Sequence, residues 1–204
     1  MLEGMSQMRL LIATRNAHKT GEIRAILGSD WEVSDLNAHP EVASPEETGE
    51  TFAENAGIKA VAASQLFEGW VLADDSGLEV DALAGAPGVR SARYAGSGAT
   101  DAGNRAKLVA ALDGVRGKAR SARFRCAMAL AKEGVVVATF EGAIEGVIVN
   151  SERGEGGFGY DPLFVPDDYS VTFGELPFSV KNLFSHRAKA LAKLKDYLLR
   201  RIFV

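Results

Sequence analysis

The stretch that decides the fold is residues 120–149, RSARFRCAMALAKEGVVVATFEGAIEGVIV. Its first part alternates, and five apolar residues share one face: Ala122, Phe124, Cys126, Met128 and Leu130. Such alternation is typical of a strand with one buried face. Lys132-Glu133-Gly134 predicts a turn, and residues 135–149 return as one long strand or as a pair of strands. The middle of the chain therefore predicts a β-hairpin.

The flanking sequence adds helices and further strands. Apolar runs predict strands at residues 8–14, 31–36 and 70–73. Helical spacing predicts helices at residues 17–27, 100–112 and 189–198, and another helix opens at Thr51, where Glu54 stands at the capping-box spacing. Gly28 is a stop for the first helix. Helices near both ends with a hairpin between them predict an α/β fold with a mixed sheet flanked by helices.

Composition limits the class of protein. The chain has 204 residues, of which 47% are hydrophobic, which suits one large or two-lobed α/β domain over residues 1–204, with residues 1–7 a loose extension. The net charge of −4 disfavours nucleic acid and anionic membranes as partners, so a phosphate ligand needs a local positive cluster. Cys126 is the single cysteine, which excludes an intrachain disulfide and predicts a cytoplasmic location. No apolar run approaches the roughly 20 residues of a membrane span.

The first segment that could carry chemistry is ATRNAHK, residues 13–19, between the first strand and the first helix. Free backbone N–H groups at a helix start, with Thr14, Asn16 and Lys19 around them, predict a phosphate site. The segment is not a Walker A loop. The alternative is that Thr14 and Asn16 only cap the helix and that Lys19 is solvated.

The second segment joins two acidic sequences, SPEETG at residues 44–49 and DDSG at residues 74–77. Asp74 and Asp75 follow an apolar run, and adjacent carboxylates repel unless a positive group lies beside them. Mg²⁺ commonly takes one or two protein carboxylates together with water and substrate phosphates. The alternative is a turn at residues 75–77 and a solvated acidic loop.

Two further segments could recognise a flat ligand. GEGGFGYDP, residues 154–162, places four glycines around two aromatic residues, so that the backbone can approach a base closely. KNLFSHR, residues 181–187, offers many donors and few acceptors, which suits carbonyl or phosphate oxygens. The alternatives are a glycine-rich hairpin with core aromatics and a basic helix start with a solvated face.

Together these segments resemble the inosine triphosphate pyrophosphatase family, the dITP/XTP pyrophosphatases. The matching motifs are ATRNAHK, EETGETFAENAGIKA, ADDSGLEVDALAGAPGVRSARYAG, GGFGYDPLF and SHRAKAL, which together extend over most of the chain. The resemblance implies a Mg²⁺-dependent homodimeric enzyme that cleaves ITP, dITP and XTP between the α and β phosphates. It also implies an elongated mixed sheet with two lobes and a central nucleotide-binding cleft.

The resemblance also assigns roles to individual residues. Asp75 is the general base, and Glu46 and Asp75 bind the metal. Substrate-binding residues are Thr14, Arg15, Asn16, Ala17, His18, Lys19, Ser76, Phe158, Gly159, Tyr160, Asp161, Lys181, His186 and Arg187. Supporting residues are Asn55, Lys59, Asp74 and Arg93. Adjacency alone does not tell which of Asp74 and Asp75 is the base.

Other functions stay open at this point. One is a pyrophosphatase of similar architecture that acts on pyrimidine or modified-base triphosphates. Another is a nucleotide-binding regulator without turnover. Arg15 stands where the family often has glycine, and residues 176–184 are more apolar than the charged stretch we expect there.

Overall fold

The computed structural model describes residues 8–202, with six strands and five α-helices in that range. The predicted extension at residues 1–7 lies outside the described residues. The strands are β1 (Met8–Ile12), β2 (Trp31–Asp35), β3 (Trp70–Val80), β4 (Ser121–Lys132), β5 (Val135–Ile148) and β6 (Phe164–Pro166). The helices are α1 (Ala17–Leu27), α2 (Phe52–Ser64), α3 (Asp101–Ala111), α4 (Phe178–Phe184) and α5 (His186–Ile202).

The strands form one mixed sheet in the order β2-β1-β3-β4-β5-β6. Strand β1 runs parallel to both β2 and β3, and β5 runs antiparallel to β6. Two residues join β4 to β5, Glu133 and Gly134, with φ values of 53° and 77°. Positive φ at both positions is the geometry of a tight β-hairpin. The predicted mixed α/β sheet flanked by helices is confirmed.

Strand β3 is longer than the sequence predicts. We expected it to end at Ala73, but it continues to Val80 and places Asp74 and Asp75 in its middle, so the alternative of a turn at residues 75–77 is wrong. The continuation depends on Gly77, because a Cβ there would overlap Ser91 Oγ. Ser91 Oγ instead accepts a hydrogen bond from the Leu78 amide at 2.9 Å, so residues 88–93 cover the strand.

Other boundaries also differ from expectation. For residues 135–149 the first of the two predicted alternatives is confirmed, since Val135–Ile148 form one long strand. The last helix begins at His186, three residues before its predicted start, and the apolar segment 176–184 contains the short helix α4. In β4 alternation holds only up to Arg125, because residues 126–131 are buried on both faces.

The chain divides into two compact units, each assembled from separate stretches of sequence. The first unit takes residues 8–75, Ala127–Phe140 and residues 190–202, and the second takes Ser76–Cys126 and Glu141–Lys189. The core of the first unit contains Leu11, Leu36, Val42, Ala56, Ala60, Ala63, Val71, Ala73, Ala129 and Ala131. That of the second contains Leu78, Val80, Leu108, Leu112, Phe124, Ile144, Ile148, Tyr160, Leu163, Phe164 and Phe173.

Helix α2 shows how the sequence fixes a local structure. The Thr51 side chain accepts from the Glu54 amide, and the Glu54 carboxylate accepts from the Thr51 amide at 3.0 Å, which completes the predicted capping box. Phe52, Ala56, Ala60 and Ala63 of this helix are buried. Among residues 8–202, none of the helices has the length and apolar composition that a membrane crossing requires.

Candidate active site

The first polar cluster lies in the first unit, around the two aspartates of β3. The Asp74 side chain is fully buried, and its Oδ1 lies 2.5 Å from Nζ of Lys19 in α1. Because β1 and β3 are neighbours in the sheet, the chain that leaves β1 enters α1 near this point of β3. Lys19 thus supplies one of the positive groups that the paired aspartates require.

Lys59 supplies the second positive group. Its Nζ, reaching from α2, donates to Asp75 Oδ1 at 2.8 Å, to the Asp74 carbonyl at 2.8 Å and to Glu47 Oε1 at 3.1 Å. The family resemblance assigned Lys59 only a supporting role. In the structure it joins the acidic loop, residues 43–48, to β3. Two lysines therefore balance the negative charge of the aspartate pair.

Asp75 combines burial with an available oxygen. Its Oδ2 is buried and has no hydrogen-bond partner among the described residues. Burial raises the pKa of Asp75, and attraction to Lys59 and Lys19 offsets this only in part. For Lys59, burial alone would lower the pKa, but the charge and hydrogen bond of Asp75 outweigh it and the pKa is raised. A buried carboxylate with one unsatisfied oxygen and a raised pKa is typical of a proton acceptor or a cation ligand.

The donor set fits a magnesium ion. No group of three His, Cys, Asp or Glu side chains that could hold a metal occurs in the part of the chain that the structure describes. Mg²⁺ does not need such a group, since one or two carboxylates and substrate phosphates can complete its coordination. Asp75 Oδ2 is a suitable hard oxygen. Of the two glutamates in the acidic loop, Glu46 is exposed, whereas Glu47 is partly buried against Lys59.

The start of α1 differs from the predicted set of free amides. Asn16 Oδ1 accepts from the amides of His18 at 2.9 Å and Lys19 at 3.3 Å, and Thr14 Oγ1 accepts from the Asn16 amide at 3.1 Å. The side chains of Ala17 and His18 are exposed. The amide donors at residues 16, 18 and 19 are therefore already satisfied, because Asn16 and Thr14 act as caps. The Lys19 side chain, in contrast, carries its positive charge to Asp74 in β3.

The second polar cluster lies in the second unit, where Lys181 and Asp161 form a buried ion pair. Lys181 Nζ lies 2.5 Å from Asp161 Oδ2, and each side chain is 3% exposed. The same Oδ2 accepts from the Phe158 amide at 2.9 Å. Gly157 has φ of +74°, and a Cβ at this position would overlap Asp161 Oδ2. The glycine-rich segment is thus held closely around one carboxylate.

Arg187 and His186, the first residues of α5, complete this cluster. Arg187 is 1% exposed, donates to Ser76 Oγ at 3.0 Å, and lies 5.7 Å from the centroid of the Phe158 ring. The His186 ring stacks on Phe124 at 4.9 Å. The predicted residues Ser76, Phe158, Asp161, Lys181 and Arg187 therefore come together. A cationic group beside an aromatic face suits a flat, oxygen-bearing ligand.

Two predicted binding residues have other surroundings. Tyr160 is buried in the core, where its hydroxyl donates to the Ser91 carbonyl at 2.8 Å, and burial raises its pKa. Arg93 lies exposed in the 3-10 segment Gly88–Arg93.

Sequence reasoning missed three supports of the site. Asp101 accepts from the Gly159 amide at 2.7 Å, and Arg105 donates to the Gly159 carbonyl at 3.0 Å. Both residues lie on α3, far from the motif in sequence, and no local pattern marks them. Glu47 was quoted within a motif, but nothing distinguished it from Glu46.

The mixed sheet and its flanking helices define an α/β protein, with lysine–carboxylate contacts in one unit and buried cations beside an aromatic ring in the other. The sequence model of the Ham1 family matches residues 10–197. The chain belongs to the Ham1 family, which confirms the resemblance noted from the motifs.

Relatives of known name agree over nearly the whole chain. The dITP/XTP pyrophosphatase of Desulforamulus reducens is 48% identical over 198 residues, which cover 97% of this chain and 98% of the relative. The dITP/XTP pyrophosphatase of Geobacter sulfurreducens is 50% identical over 191 residues, covering 93% and 96%.

Solved structures show the same fold. The HAM1 protein from Coxiella burnetii matches with a TM-score of 0.84 and 39% identity, covering 95% of this chain and 99% of that chain. The Ham1 protein of Staphylococcus aureus matches with a TM-score of 0.83 and 36% identity, covering 95% and 99%.

Proposed function

We propose that this protein hydrolyses non-standard purine nucleoside triphosphates, ITP, dITP and XTP, to the nucleoside monophosphate and pyrophosphate. Relatives that are 48% and 50% identical over more than nine-tenths of the chain carry the name dITP/XTP pyrophosphatase. The observation that carries the mechanism is the buried Asp75, with one oxygen on Lys59 and the other without a partner among the described residues.

Asp75 acts as the general base in this proposal. Its free Oδ2 takes a proton from a water molecule, whose oxygen attacks the α phosphorus while the bond to the departing pyrophosphate breaks. The hydrogen bond from Lys59 favours the ionised carboxylate, and the opposing effect of burial raises its pKa toward the working range. The proton therefore passes to Asp75 at the moment of attack.

The lysines neutralise the polyphosphate. Lys19 and Lys59 have their ammonium groups on adjacent residues of β3, at Asp74 and Asp75. Positive charge fixed in a partly buried site stabilises the charge that develops on the phosphate oxygens. Both lysines retain this role as pyrophosphate departs, because breaking the bond to the α phosphorus places additional negative charge on the oxygen of the leaving group.

Magnesium is part of the same proposal. Asp75 Oδ2 and a carboxylate of the acidic loop, Glu46 or Glu47, would hold it together with the substrate phosphates. When bound, Mg²⁺ supplies further neutralisation of the phosphate charge. The relatives' names do not mention a metal, so this dependence rests on the fit of the donor set.

In this proposal the second-unit cluster selects the nucleobase of the substrate. Lys181 and Arg187 are donors beside the Phe158 ring, and a purine with an oxygen at position 6 offers them an acceptor. Adenine presents an amino group there, which offers these donors no acceptor. Selection for a keto purine follows from this penalty.

The direct test measures pyrophosphate release with Mg²⁺ and ITP, XTP, GTP, ATP and dTTP as substrates. We expect turnover of ITP and XTP well above that of ATP and dTTP. GTP shares the oxygen at position 6, so its turnover shows whether an amino group at position 2 is also rejected. Preferred turnover of dTTP would instead support the pyrimidine alternative, and absence of release over hours would support a binding protein without catalysis.

A pair of variants tests the assignment of Asp75 as the general base. Asp75→Asn should abolish turnover while ITP binding, measured by calorimetry, is largely kept. Asp30→Asn, an exposed carboxylate in the same unit, is the matched control and should behave as wild type. Near wild-type hydrolysis by Asp75→Asn would show that the general base is assigned wrongly.

The homodimer and the cytoplasmic location stay predictions. Light scattering would test the first of them.

A further inference from the structure

Arg15 was predicted to bind substrate, but its guanidinium contacts backbone carbonyls of the chain itself. Nη1 donates to the Leu36 carbonyl at 2.5 Å, and Nη2 donates to the Val42 carbonyl at 2.9 Å. Asn37 Nδ2 returns a hydrogen bond to the Arg15 carbonyl at 3.3 Å. Arg15 therefore ties the start of α1 to residues 36–42.

The segment that Arg15 holds leads directly into the acidic loop, which we define as residues 43–48. Val42, the residue before this loop, is 1% exposed. At the far end, the Gly49 amide donates to Asn55 Oδ1 at 2.8 Å, and Asn55 is fully buried on α2. A Cβ at Gly49 would lie 2.7 Å from Glu54 Cβ, so the close approach requires glycine. The acidic loop is thus fixed at both ends.

The chemistry of these contacts separates two roles for Arg15. A planar guanidinium that donates through two nitrogens to two uncharged carbonyls is committed to a defined geometry. Turning it toward a phosphate would leave the carbonyls of Leu36 and Val42, both buried residues, without this donor. The ligand-free contacts therefore favour support of the loop over phosphate binding.

We propose that Arg15 is a positioning residue, which sets the acidic loop at the distance where Glu47 meets Lys59, the lysine that also contacts Asp75. The observed contact of Glu47 with Lys59 is the result of that placement. This inference rests on the proposed function for its kinetic consequence, but the placement of the loop is independent of any activity.

The experiment compares Arg15→Ala and Arg15→Lys with Arg24→Ala. Arg24 is a matched control because it also lies on α1 and donates to a backbone carbonyl, that of Val33, at 3.0 Å. Hydrogen exchange of residues 43–48 is measured without ligand. Mg²⁺ half-saturation and kcat are measured with ITP, and binding of inorganic tripolyphosphate is measured by calorimetry.

Both Arg15 variants should speed hydrogen exchange in the acidic loop and raise the Mg²⁺ half-saturation by about tenfold, as is typical when a residue supporting a metal ligand is removed. Lysine should not rescue, because one ammonium cannot serve both carbonyls in the same geometry. Arg24→Ala should leave each quantity unchanged.

Two results would overturn the proposal. One is unchanged hydrogen exchange at residues 43–48 in both variants. The other is full recovery by lysine combined with loss of tripolyphosphate binding in alanine, because then the positive charge alone would matter. Should the wild type not hydrolyse ITP, the proposed function fails, while the exchange data still decide the role of Arg15. If Arg15→Ala does not fold, the lysine variant decides.

Discussion

The buried pair of Lys181 and Asp161 gives the sharpest stability prediction. Both side chains are 3% exposed, and the carboxylate oxygen that meets the ammonium also accepts the Phe158 amide. Lys181→Met keeps the length of the side chain but removes its charge, which leaves the buried carboxylate without its ammonium partner. Breaking one partner of a buried pair costs about 3–5 kcal/mol.

The size of the effect follows from the chain length. For a protein of about 200 residues, each kcal/mol lowers Tm by roughly 2–4 °C, so Lys181→Met should lower it by roughly 6–20 °C. Asp161→Asn keeps an oxygen that can accept the Phe158 amide and removes the charge. The double variant Lys181→Met with Asp161→Asn therefore leaves no unpaired charge and should be about 2 kcal/mol more stable than Lys181→Met alone, within the usual range of coupling energies.

Urea unfolding followed by circular dichroism measures the free energy of unfolding of the two single variants and of the double variant. Lys118→Met, an exposed lysine of the same unit, is the control and should lie within about 0.5 kcal/mol of wild type. The reasoning is refuted if Lys181→Met costs less than about 1 kcal/mol, since a truly buried charge cannot be left unpaired so cheaply. A double variant as unstable as the sum of the single changes would refute the pairing itself.

Three other perturbations test the site. Chelation with EDTA should abolish pyrophosphate release and added Mg²⁺ should restore it, whereas undiminished turnover in chelator contradicts the metal proposal. In metal-free protein the wild type should lose stability relative to Asp75→Asn as the pH rises through the raised pKa of Asp75, because the ionised carboxylate costs stability in the fold; a Tm difference between the two that does not change with pH contradicts it. Gly157→Ala should unfold at a lower urea concentration than Gly159→Ala. Both substitutions cost about 1–2 kcal/mol because φ is positive, but only the Cβ added at residue 157 overlaps Asp161. Equal urea midpoints for the two variants would contradict this.

Much of the fold could be predicted because its signals are local. The helix bounds of α1 and the capping box of α2 depend on residues within one or two turns, and both are confirmed. The hairpin needed only the alternation of β4 and the turn residues Glu133 and Gly134. Such features are encoded over a few residues.

The length of β3 could not be predicted in the same way. Asp75, Ser76 and Gly77 are typical turn residues, but Gly77 stands in a strand because residues 88–93 pack against it. That contact joins positions more than ten residues apart. Local propensity therefore lost to tertiary packing.

The candidate site divides along the same line. The acidic pair, the glycine-rich segment and the cations of residues 181–187 could be named from residue types alone. The residues that contact them could not be predicted in this way. Residue types alone suggested a metal beside the aspartates, and the structure also places Lys19 beside Asp74 and Lys59 beside Asp75. Pairing depends on side-chain reach across the sheet, which composition does not reveal.

The discontinuous first unit has a consequence for synthesis on the ribosome. Its core is begun by residues 8–75, yet it also needs the buried Leu191, Leu194 and Leu198 of α5, and Lys195 reaches back to the Ile26 carbonyl. A nascent chain therefore carries residues 8–75 for more than a hundred residues of elongation before the helix that completes the first unit emerges. Premature termination near residue 185 should yield a product with an unfinished core at its N-terminal half, a natural substrate for chaperones and proteases.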